Sequence, residues 1–362
     1  MFLKKDTPNM TSPDGLYGVL KYSSSNIGDE IQSIAAMRFL PKIDYYCHRE
    51  QLNTFHVDEE HAGQKVKLIM NAWWMWRPKN FPPSDDIDPL LVSMHLRKAL
   101  AEDFNRPEVL DYFRKHGPVG CRDMYTKEYL DSLDVPAYFS GCLTMTLQPN
   151  PKFRRKKGGD HVLCVDLPDH LVEEVQRRTD RPVYNVSRML SVAFTAVDRL
   201  ELAKIMLALY HNAACVVTSR LHVALPSTAF GTPVCLIMLK DEDRLGRFEG
   251  MEGFFNQVTE EDFLQNKTIY SFNNPPQNPN AHLKMQKELI KTVSDFTGYD
   301  NPHSLFEDDY DPLLSLIKML KMDLATDRDI IKRILIFATT DELIDALYQK
   351  RINKISRHDL TY

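Results

Sequence analysis

The sequence predicts an α/β protein whose parallel sheets are covered by helices on both faces. Short apolar runs typical of buried strands alternate with segments whose apolar residues recur at helical spacing, as in 16–22 and 30–40. This alternation occurs in two series, separated by the basic, glycine-containing stretch 152–160, which we interpret as a linker. A chain of 362 residues is long enough for two domains, and the predicted ranges are 1–150 and 160–272.

The elements of the first series follow from their spacing. The run Leu16 to Tyr22 is apolar and ends in a polar loop, as a buried strand does. In the next segment, Ile31, Ile34 and Phe39 fall on one helical face. The expected strands of this series are 16–22, 67–72, 90–95 and 118–121, and the expected helices are 30–40 and 124–133.

The second series follows the same rule. Leu202, Ile205 and Leu209 are spaced for one buried helical face, and buried strand-like runs flank that helix. The expected strands are 161–165, 213–217 and 234–239, and the expected helices are 168–178, 200–212 and 221–230.

A proline-rich break at 273–279 ends the second series, and the remaining sequence has helical periodicity. The region 280–362 is therefore predicted to be a helical extension, with helices at 281–296, 311–322 and 340–350. We expect it to pack against the domains or against a second subunit, which makes it the candidate region for oligomer formation.

Composition excludes several classes of protein. The net charge of −5 argues against a nucleic-acid partner. No apolar run approaches the roughly 18 residues of a membrane span, and the N-terminus lacks the apolar core of a signal peptide, so we expect a soluble cytoplasmic protein. The six cysteines include no Cys-x-x-Cys pair and have no histidine at zinc-ligand spacing. We interpret them as buried apolar residues and predict no metal site.

The turn Ser219-Arg220-Leu221-His222 is the strongest candidate for a functional site. It follows a buried strand, at the edge where open α/β sheets bind ligands. Ser219 is placed to cap the next helix, whose first N–H groups attract phosphate or carboxylate. Arg220 can bind either group in two places, and His222 can transfer a proton near neutral pH. The alternative is structural: a packed histidine, and an arginine paired with a carboxylate.

Two other strand ends have a similar layout. Gly120 lies in the strand 118–121, and Arg122-Asp123 follow that strand and open a helix. Arg122 is then either available to a ligand or paired at the surface. Asn26 and Asp29, with a glycine between them, follow the first strand, although Asn and Gly are common in any loop.

Taken together, these motifs resemble the polysaccharide pyruvyl transferases. The matching elements are Asn26-x-Gly28-Asp29, Gly120-x-Arg122-Asp123-x-x-Thr126, and Ser219-Arg220-Leu221-His222 followed by Gly231-x-Pro233. The resemblance spans about residues 15 to 250, and the Ser-Arg-Leu-His element is its most specific part. It implies two Rossmann-like domains in a GT-B-like arrangement, with the helical extension outside it.

The resemblance also implies an activity: transfer of pyruvate from phosphoenolpyruvate to a sugar of a polysaccharide or glycan precursor, as a ketal, with release of phosphate. It implies that Arg122 holds the donor and is catalytic, that Leu221 and His222 contact the donor, and that His222 is catalytic as either acid or base. Ser219 and Arg220 complete the expected donor site. No tightly bound cofactor is expected, since arginines can neutralise the leaving phosphate.

The acceptor is expected to be a sugar or a glycan-lipid, with peripheral membrane association left open. Aromatic faces stack on sugar rings, so Trp73, Trp74 and Trp76 are acceptor candidates together with Asn26 and Asp29; the alternative for the tryptophans is core packing. Rival functions are a GT-B glycosyltransferase that uses a nucleotide sugar and a non-catalytic glycan-binding protein on the same fold.

Two residues depart from the family pattern. Pro226 falls inside the helix that follows His222, where it removes a backbone hydrogen bond. Asp166 directly follows the strand 161–165, at a position where an anion site favours a basic residue.

Overall fold

The computed structural model describes residues 15–148, 160–189, 195–240, 246–267, 270–300 and 302–306, with residues 310, 312 and 315. These residues form an α/β fold with parallel sheets, as predicted. The chain divides into two compact units. Unit 1 takes the described residues up to 23, then 35–146 and 283–303; unit 2 takes 24–34, 147–282 and those from 304 onward. The predicted linker 152–160 and the predicted helices 311–322 and 340–350 lie outside the described residues, apart from positions 160, 312 and 315.

The described residues of unit 1 form eight strands, paired in parallel throughout. They are β1 Leu16–Lys21, β2 Tyr45–His48, β3 Val66–Ile69, β4 Trp73–Trp74, β5 Ile87–Leu90, β6 His95–Leu96, β7 Val119–Cys121 and β8 Ala137–Phe139. The main sheet has the order β2-β1-β3-β5, while β4 pairs with β6 and β7 pairs with β8.

The helices of unit 1 cover this framework. They are the end of α1 Gly28–Met37, α2 Pro107–His116, α3 Met124–Asp131 and most of α8 His282–Thr297, with short 3₁₀ helices at Arg49–Thr54, Glu59–His61, Pro78–Asn80, Lys98–Phe104 and Leu143–Thr146. α2 begins at a proline, which suits a first helical turn, and it buries Val109 and Phe113.

Unit 1 also includes the helix α8, which the sequence places in the extension 280–362. Three hydrogen bonds tie it to the rest of the unit. The Tyr17 hydroxyl donates to the carbonyl of Thr297 over 3.0 Å, and Lys67 Nζ donates to that of Phe296 over 2.8 Å. The Gln286 amide donates to Met145 O over 2.7 Å. The first part of the predicted extension is therefore integral to this unit.

The strand predicted at 90–95 is wrong, because the chain forms two strands there. β5 ends at Leu90 and belongs to the main sheet, whereas β6 begins at His95 and pairs with β4. Between them Ser93 has a φ of +54°, and its N–H bonds to the Ser140 hydroxyl over 3.1 Å. This left-handed residue turns the chain from one sheet to the other.

Unit 2 is a five-stranded parallel sheet with helices between the strands. The strands are β9 Val162–Val165, β10 Val183–Val186, β11 Cys215–Thr218, β12 Val234–Met238 and β13 Asn256–Thr259, in the order β10-β9-β11-β12-β13. The helices are α4 Asp169–Arg177, α5 Ala196–Asn212, α6 Leu221–Ala229 and α7 Glu260–Leu264, with the start of α1 and a 3₁₀ turn at Gly246–Phe248. The central strands are buried on both faces. This explains why their sequences are continuous apolar runs without alternating polar residues.

The six cysteines are free and buried, as predicted. Burial raises the pKa of every one of these thiols above its ordinary value. Of the helices in the described ranges, none combines the length and the apolar character that a membrane crossing requires.

A buried ion pair fixes the start of α1 within unit 2. Arg199 Nε of α5 donates to Glu30 Oε1 over 2.6 Å, and both side chains are almost fully buried. Burial, partly offset by Arg199, raises the pKa of Glu30 from 4.5 to about 7.

Replacing Glu30 by Gln is expected to flatten the pH dependence of stability. The folded state binds the Glu30 proton more tightly than the unfolded chain does. The stability that this proton contributes is therefore full below pH 4.5 and is lost as the pH rises through about 7. Without the carboxyl, up to about 3 kcal/mol of this change in the free energy of unfolding should disappear. Urea unfolding followed by circular dichroism across this range measures it.

The matched control is Glu173→Gln, on the exposed face of α4, which should keep the pH dependence of the wild type. A Glu30→Gln protein whose stability still falls between these pH values as steeply as the wild type would show that Glu30 ionises normally.

Candidate functional site

The carboxyl ends of β9 and β11 are joined by the Thr218 hydroxyl. It donates to the carbonyl of Val165 over 3.1 Å and accepts the N–H of Arg220 over 3.1 Å. The prediction that Ser219 caps α6 is wrong: the N-cap residue is Arg220, without a side-chain cap bond. Ser219 precedes this N-cap residue, and its hydroxyl makes no hydrogen bond within the described chain, so it does not cap the helix.

The first turn of α6 is distorted at His222. Its φ of −80° and ψ of 18° are not helical, and the carbonyl of Arg220 accepts from both Val223 and Ala224. Pro226 lies four residues after His222, so it has no N–H for the His222 carbonyl, and its ring crowds that carbonyl. The proline that departs from the family pattern thus accounts for the conformation of the candidate catalytic residue. The His222 side chain is largely buried.

The Asp166 carboxylate holds two arginines. Asp166 follows β9 with a φ of +51°, and its Oδ2 forms an ion pair with Nε of Arg188 and lies 3.4 Å from Nε of Arg220. Its Oδ1 accepts from the Ser187 hydroxyl over 3.1 Å and from the N–H of Arg188 over 3.3 Å. One negative and two positive charges leave this position net positive. An acidic residue at this position is therefore compatible with a candidate anion site, because it fixes the two guanidinium groups.

Arg188 also connects this cluster to the start of α1. The Asn26 side-chain oxygen accepts from Arg188 Nη1 and, over 2.9 Å, from the N–H of Gly28. A Cβ on Gly28 would lie only 2.9 Å from Arg188 Nη1 and 3.5 Å from Cβ of His222. Glycine therefore lets the N-terminus of α1 approach both His222 and the second arginine.

Asn26 and Asp29, predicted to bind the acceptor, both have local partners. Asn26 holds Gly28 and Arg188, as described. Asp29 is buried, and its Oδ2 accepts from the Ser24 hydroxyl over 2.7 Å. Their acceptor role stays a prediction.

This arrangement in unit 2 suits an anion together with a proton donor. The N-termini of α1 and α6 both carry partial positive charge, and Arg188 and Arg220 add two formal charges. The buried Ser219 Oγ makes no hydrogen bond within the described chain, so it is available to a ligand oxygen. Leu221 is the first residue of α6, and His222 is the second. Arg188 was missed from the sequence because it lies in a loop with no motif.

In unit 1, Arg122 is buried and borders a histidine–aspartate pair. Its Nε lies 4.0 Å from Oδ2 of Asp123, and the same oxygen lies 2.5 Å from Nδ1 of His95. The other oxygen of Asp123 accepts the N–H and the hydroxyl of Thr126, at 2.9 and 2.8 Å, and so caps α3. Burial alone would raise the pKa of Asp123, but His95 and Arg122 together lower it. Neither His95 nor its partnership with Asp123 was found from the sequence.

The three tryptophans have different environments. Trp74 is fully buried and packs edge-on against Phe81, so its assignment to the acceptor site is corrected to the core of unit 1. The Trp73 ring is contacted by the Arg49 guanidinium, 4.1 Å from its centroid, and lies edge-on to Trp76 at 4.9 Å. Trp76 is 58% exposed and remains available to stack on a sugar.

Among the described residues, no group of three or more His, Cys, Asp and Glu side chains is arranged to hold a metal ion.

One protein-family model matches part of the sequence. Residues 96–241 match the family model of the polysaccharide pyruvyl transferases, a range that includes Arg122 and His222. No curated protein sequence is significantly similar to the chain.

Among solved structures, an uncharacterised protein from Klebsiella pneumoniae is 14% identical, with a TM-score of 0.46, and the match covers 68% of this chain and 92% of that one. A UDP-N-acetylglucosamine 2-epimerase is 11% identical, with a TM-score of 0.40 and coverages of 85% and 96%. CalG4, the calicheamicin glycosyltransferase, is 10% identical, with a TM-score of 0.25 and coverages of 65% and 64%.

Replacing Arg188 by Ala is expected to weaken the binding of inorganic phosphate about 10- to 100-fold, because a charge-assisted hydrogen bond is lost. Isothermal titration calorimetry measures the dissociation constant. Arg177→Ala, on α4 of the same unit and largely exposed, is the control and should bind phosphate as the wild type does. Equal affinities of the two variants for phosphate would show that Arg188 does not contribute to anion binding.

Proposed function

We propose, from the match of residues 96–241 to the polysaccharide pyruvyl transferases, that this protein transfers pyruvate from phosphoenolpyruvate to a sugar. The acceptor is a sugar of a polysaccharide or glycan precursor, the product is a ketal, and phosphate is released. The observation that carries the proposal is the approach of two helix N-termini, two arginines and His222 in unit 2. Phosphoenolpyruvate combines a phosphate and a carboxylate with a carbon that must be protonated, and this site offers a partner for each.

The donor is held by fixed positive charge. Arg188 and Arg220, kept in place by Asp166, bind the phosphate or the carboxylate as bidentate partners, and Ser219 and the first N–H groups of α6 complete the shell. For Arg122, in unit 1, the role of holding the donor stays the prediction that the resemblance implies. Because these groups are already oriented before the reaction, they need little reorganisation during it. They can therefore stabilise the charge that develops on the leaving phosphate.

His222 is proposed to be the acid. A bound anion favours its imidazolium form, which gives a proton to the methylene carbon of phosphoenolpyruvate. A sugar hydroxyl then forms a bond to the neighbouring carbon, and the bond from that carbon to the phosphate oxygen breaks. A second hydroxyl closes the ketal. Of the two protons that the hydroxyls lose, one replaces the proton given by His222 and the other leaves with the phosphate.

A nucleotide-sugar glycosyltransferase remains the second candidate, since the same anion site could bind a diphosphate. The products separate the two. Incubation with phosphoenolpyruvate and the methyl hexopyranosides of glucose, galactose and mannose should yield a pyruvyl ketal and inorganic phosphate, detected by mass spectrometry and a phosphate assay. Hexose transfer with release of a nucleoside diphosphate would instead establish the glycosyltransferase.

Replacing His222 by Ala should lower the rate of phosphate release by about 10²- to 10⁴-fold, the usual contribution of a positioned acid. The binding of phosphoenolpyruvate, measured by calorimetry, should be largely kept, because the arginines remain. His170→Ala, an exposed histidine on α4, is the control. Turnover that persists in the His222 variant at the wild-type rate would rule out this assignment.

Replacing Pro226 by Ala should stabilise the protein and impair catalysis. An alanine N–H can bond to the carbonyl of His222, so the first turn of α6 should become helical and move the imidazole. The free energy of unfolding should rise by about 1 kcal/mol, while kcat falls about 10- to 100-fold.

Urea unfolding and initial rates measure the two effects. Pro168→Ala, an exposed proline before α4, controls for the loss of a proline and should change kcat little. A Pro226 variant with wild-type kcat would show that the distorted turn does not matter for the reaction.

A further inference from the structure

The guanidinium group of Arg188 is held at two points within unit 2. Its Nε forms an ion pair with Oδ2 of Asp166, and its Nη1 donates to the side-chain oxygen of Asn26. The N–H donors of an arginine lie in one plane, so two fixed points determine the direction in which the others face. Neither contact uses Nη2. Asn26 and Asp166 together therefore determine where Arg188 can meet a ligand.

The main chain holds Arg188 to the same loop. The N–H of Ile27 donates to the carbonyl of Arg188 over 3.1 Å, and Asn26 forms an antiparallel bridge with Met189. On the other side, Oδ1 of Asp166 accepts from the N–H of Arg188 over 3.3 Å. The segment that carries Arg188 is thus held between the end of β9 and the loop before α1.

The start of α1 does not account for both bonds of Asn26. Its side-chain oxygen accepts the N–H of Gly28 over 2.9 Å, which satisfies one of the N–H groups that a helix start leaves without a helical partner. The bond to Arg188 adds nothing to the helix. An aspartate accepts the same bonds and is equally common at helix starts. It would, however, be a second carboxylate on Arg188, and its charge would repel an anion.

We propose that Asn26 is a positioning residue of the anion site, and that its neutral side chain orients Arg188 without cancelling the charge that a phosphate group needs. The proposal rests on the function proposed above, in which Arg188 binds an anionic group of the donor. It gives the motif Asn26-x-Gly28-Asp29 a role in donor binding. Asn26 orients the guanidinium group, and Gly28, which has no side chain, leaves space for Nη1.

The test is the affinity for inorganic phosphate, measured by isothermal titration calorimetry. Asn26→Asp keeps both acceptor contacts and adds a negative charge, so the dissociation constant should rise about 10- to 100-fold. Asn26→Ala loses the contact with Arg188, and the constant should rise about 10-fold. The matched control is Asn266→Asp, the same change at an exposed position of unit 2, which should bind phosphate as the wild type does.

A double-mutant cycle separates positioning from a general loss of structure. In the Arg188→Ala background, Asn26→Ala should change the phosphate affinity by no more than about two-fold, because Asn26 acts through Arg188. Thermal unfolding reports on the helix start separately. Asn26→Asp retains the acceptor for the N–H of Gly28, so its unfolding midpoint should stay near that of the wild type while its phosphate affinity falls.

Three results would overturn the inference. They are an Asn26→Asp protein that binds phosphate as tightly as the wild type, an effect of Asn26→Ala that persists in full without Arg188, and a wild type that binds no phosphate at all. An acceptor contact alone would give the first of these results, because phosphate affinity does not depend on the sugar. Failure of a phosphate-binding wild type to form any ketal would instead refute the proposed function.

Discussion

The candidate site of unit 2 depends on one carboxylate. Asp166 lies where β9 ends, and it holds both Arg188 and Arg220. Two unpaired guanidinium groups would repel each other and move freely in solvent. The Asp166 carboxylate orients both guanidinium groups. Because it carries only one negative charge, the cluster keeps a net positive charge that can attract a ligand. The left-handed backbone of Asp166 places the carboxylate there, so the geometry of the anion site follows from a single residue at a strand end.

The two units place different polar groups at the ends of their strands. In unit 2, the polar residues after β9 and β11 gather positive charge, which suits an anionic ligand. These residues come together because the parallel strands β9 and β11 have their carboxyl ends at one edge of the sheet. In unit 1, Asp123 after β7 pairs with the imidazole of His95 at the start of β6.

The sequence predicted well those parts of the fold that are buried. β1, β9, β11 and β12 are apolar runs, and the structure places them within one or two residues of the expected ranges. β2 and β10 were missed because they are edge strands with half-exposed or exposed residues, which have no apolar signal. The predicted cap of α6 was wrong because Arg220, whose side chain has no acceptor, takes the N-cap position, and Ser219 precedes it.

The site was predictable only where its residues adjoin in sequence. Ser219, Arg220 and His222 form one motif and could be recognised together. Arg188 and Asp166 are joined only by the pairing of β9 with β10, and His95 and Asp123 only through β6 and β7. No local pattern encodes such a contact. Pro226 shows the reverse case: its effect on helix geometry was expected, but the structure was needed to identify His222 as the residue affected.

The placement of the tryptophans has an optical consequence. All three of the chain's tryptophans fall between positions 73 and 76, so the tryptophan fluorescence of the whole protein originates from one short segment, 73–76, of unit 1. Trp74 is buried and should emit at short wavelength, out of reach of soluble quenchers. Trp76 is exposed and should respond to acrylamide. A change in tryptophan emission on adding a sugar therefore reports on the segment 73–76 alone, without an attached label.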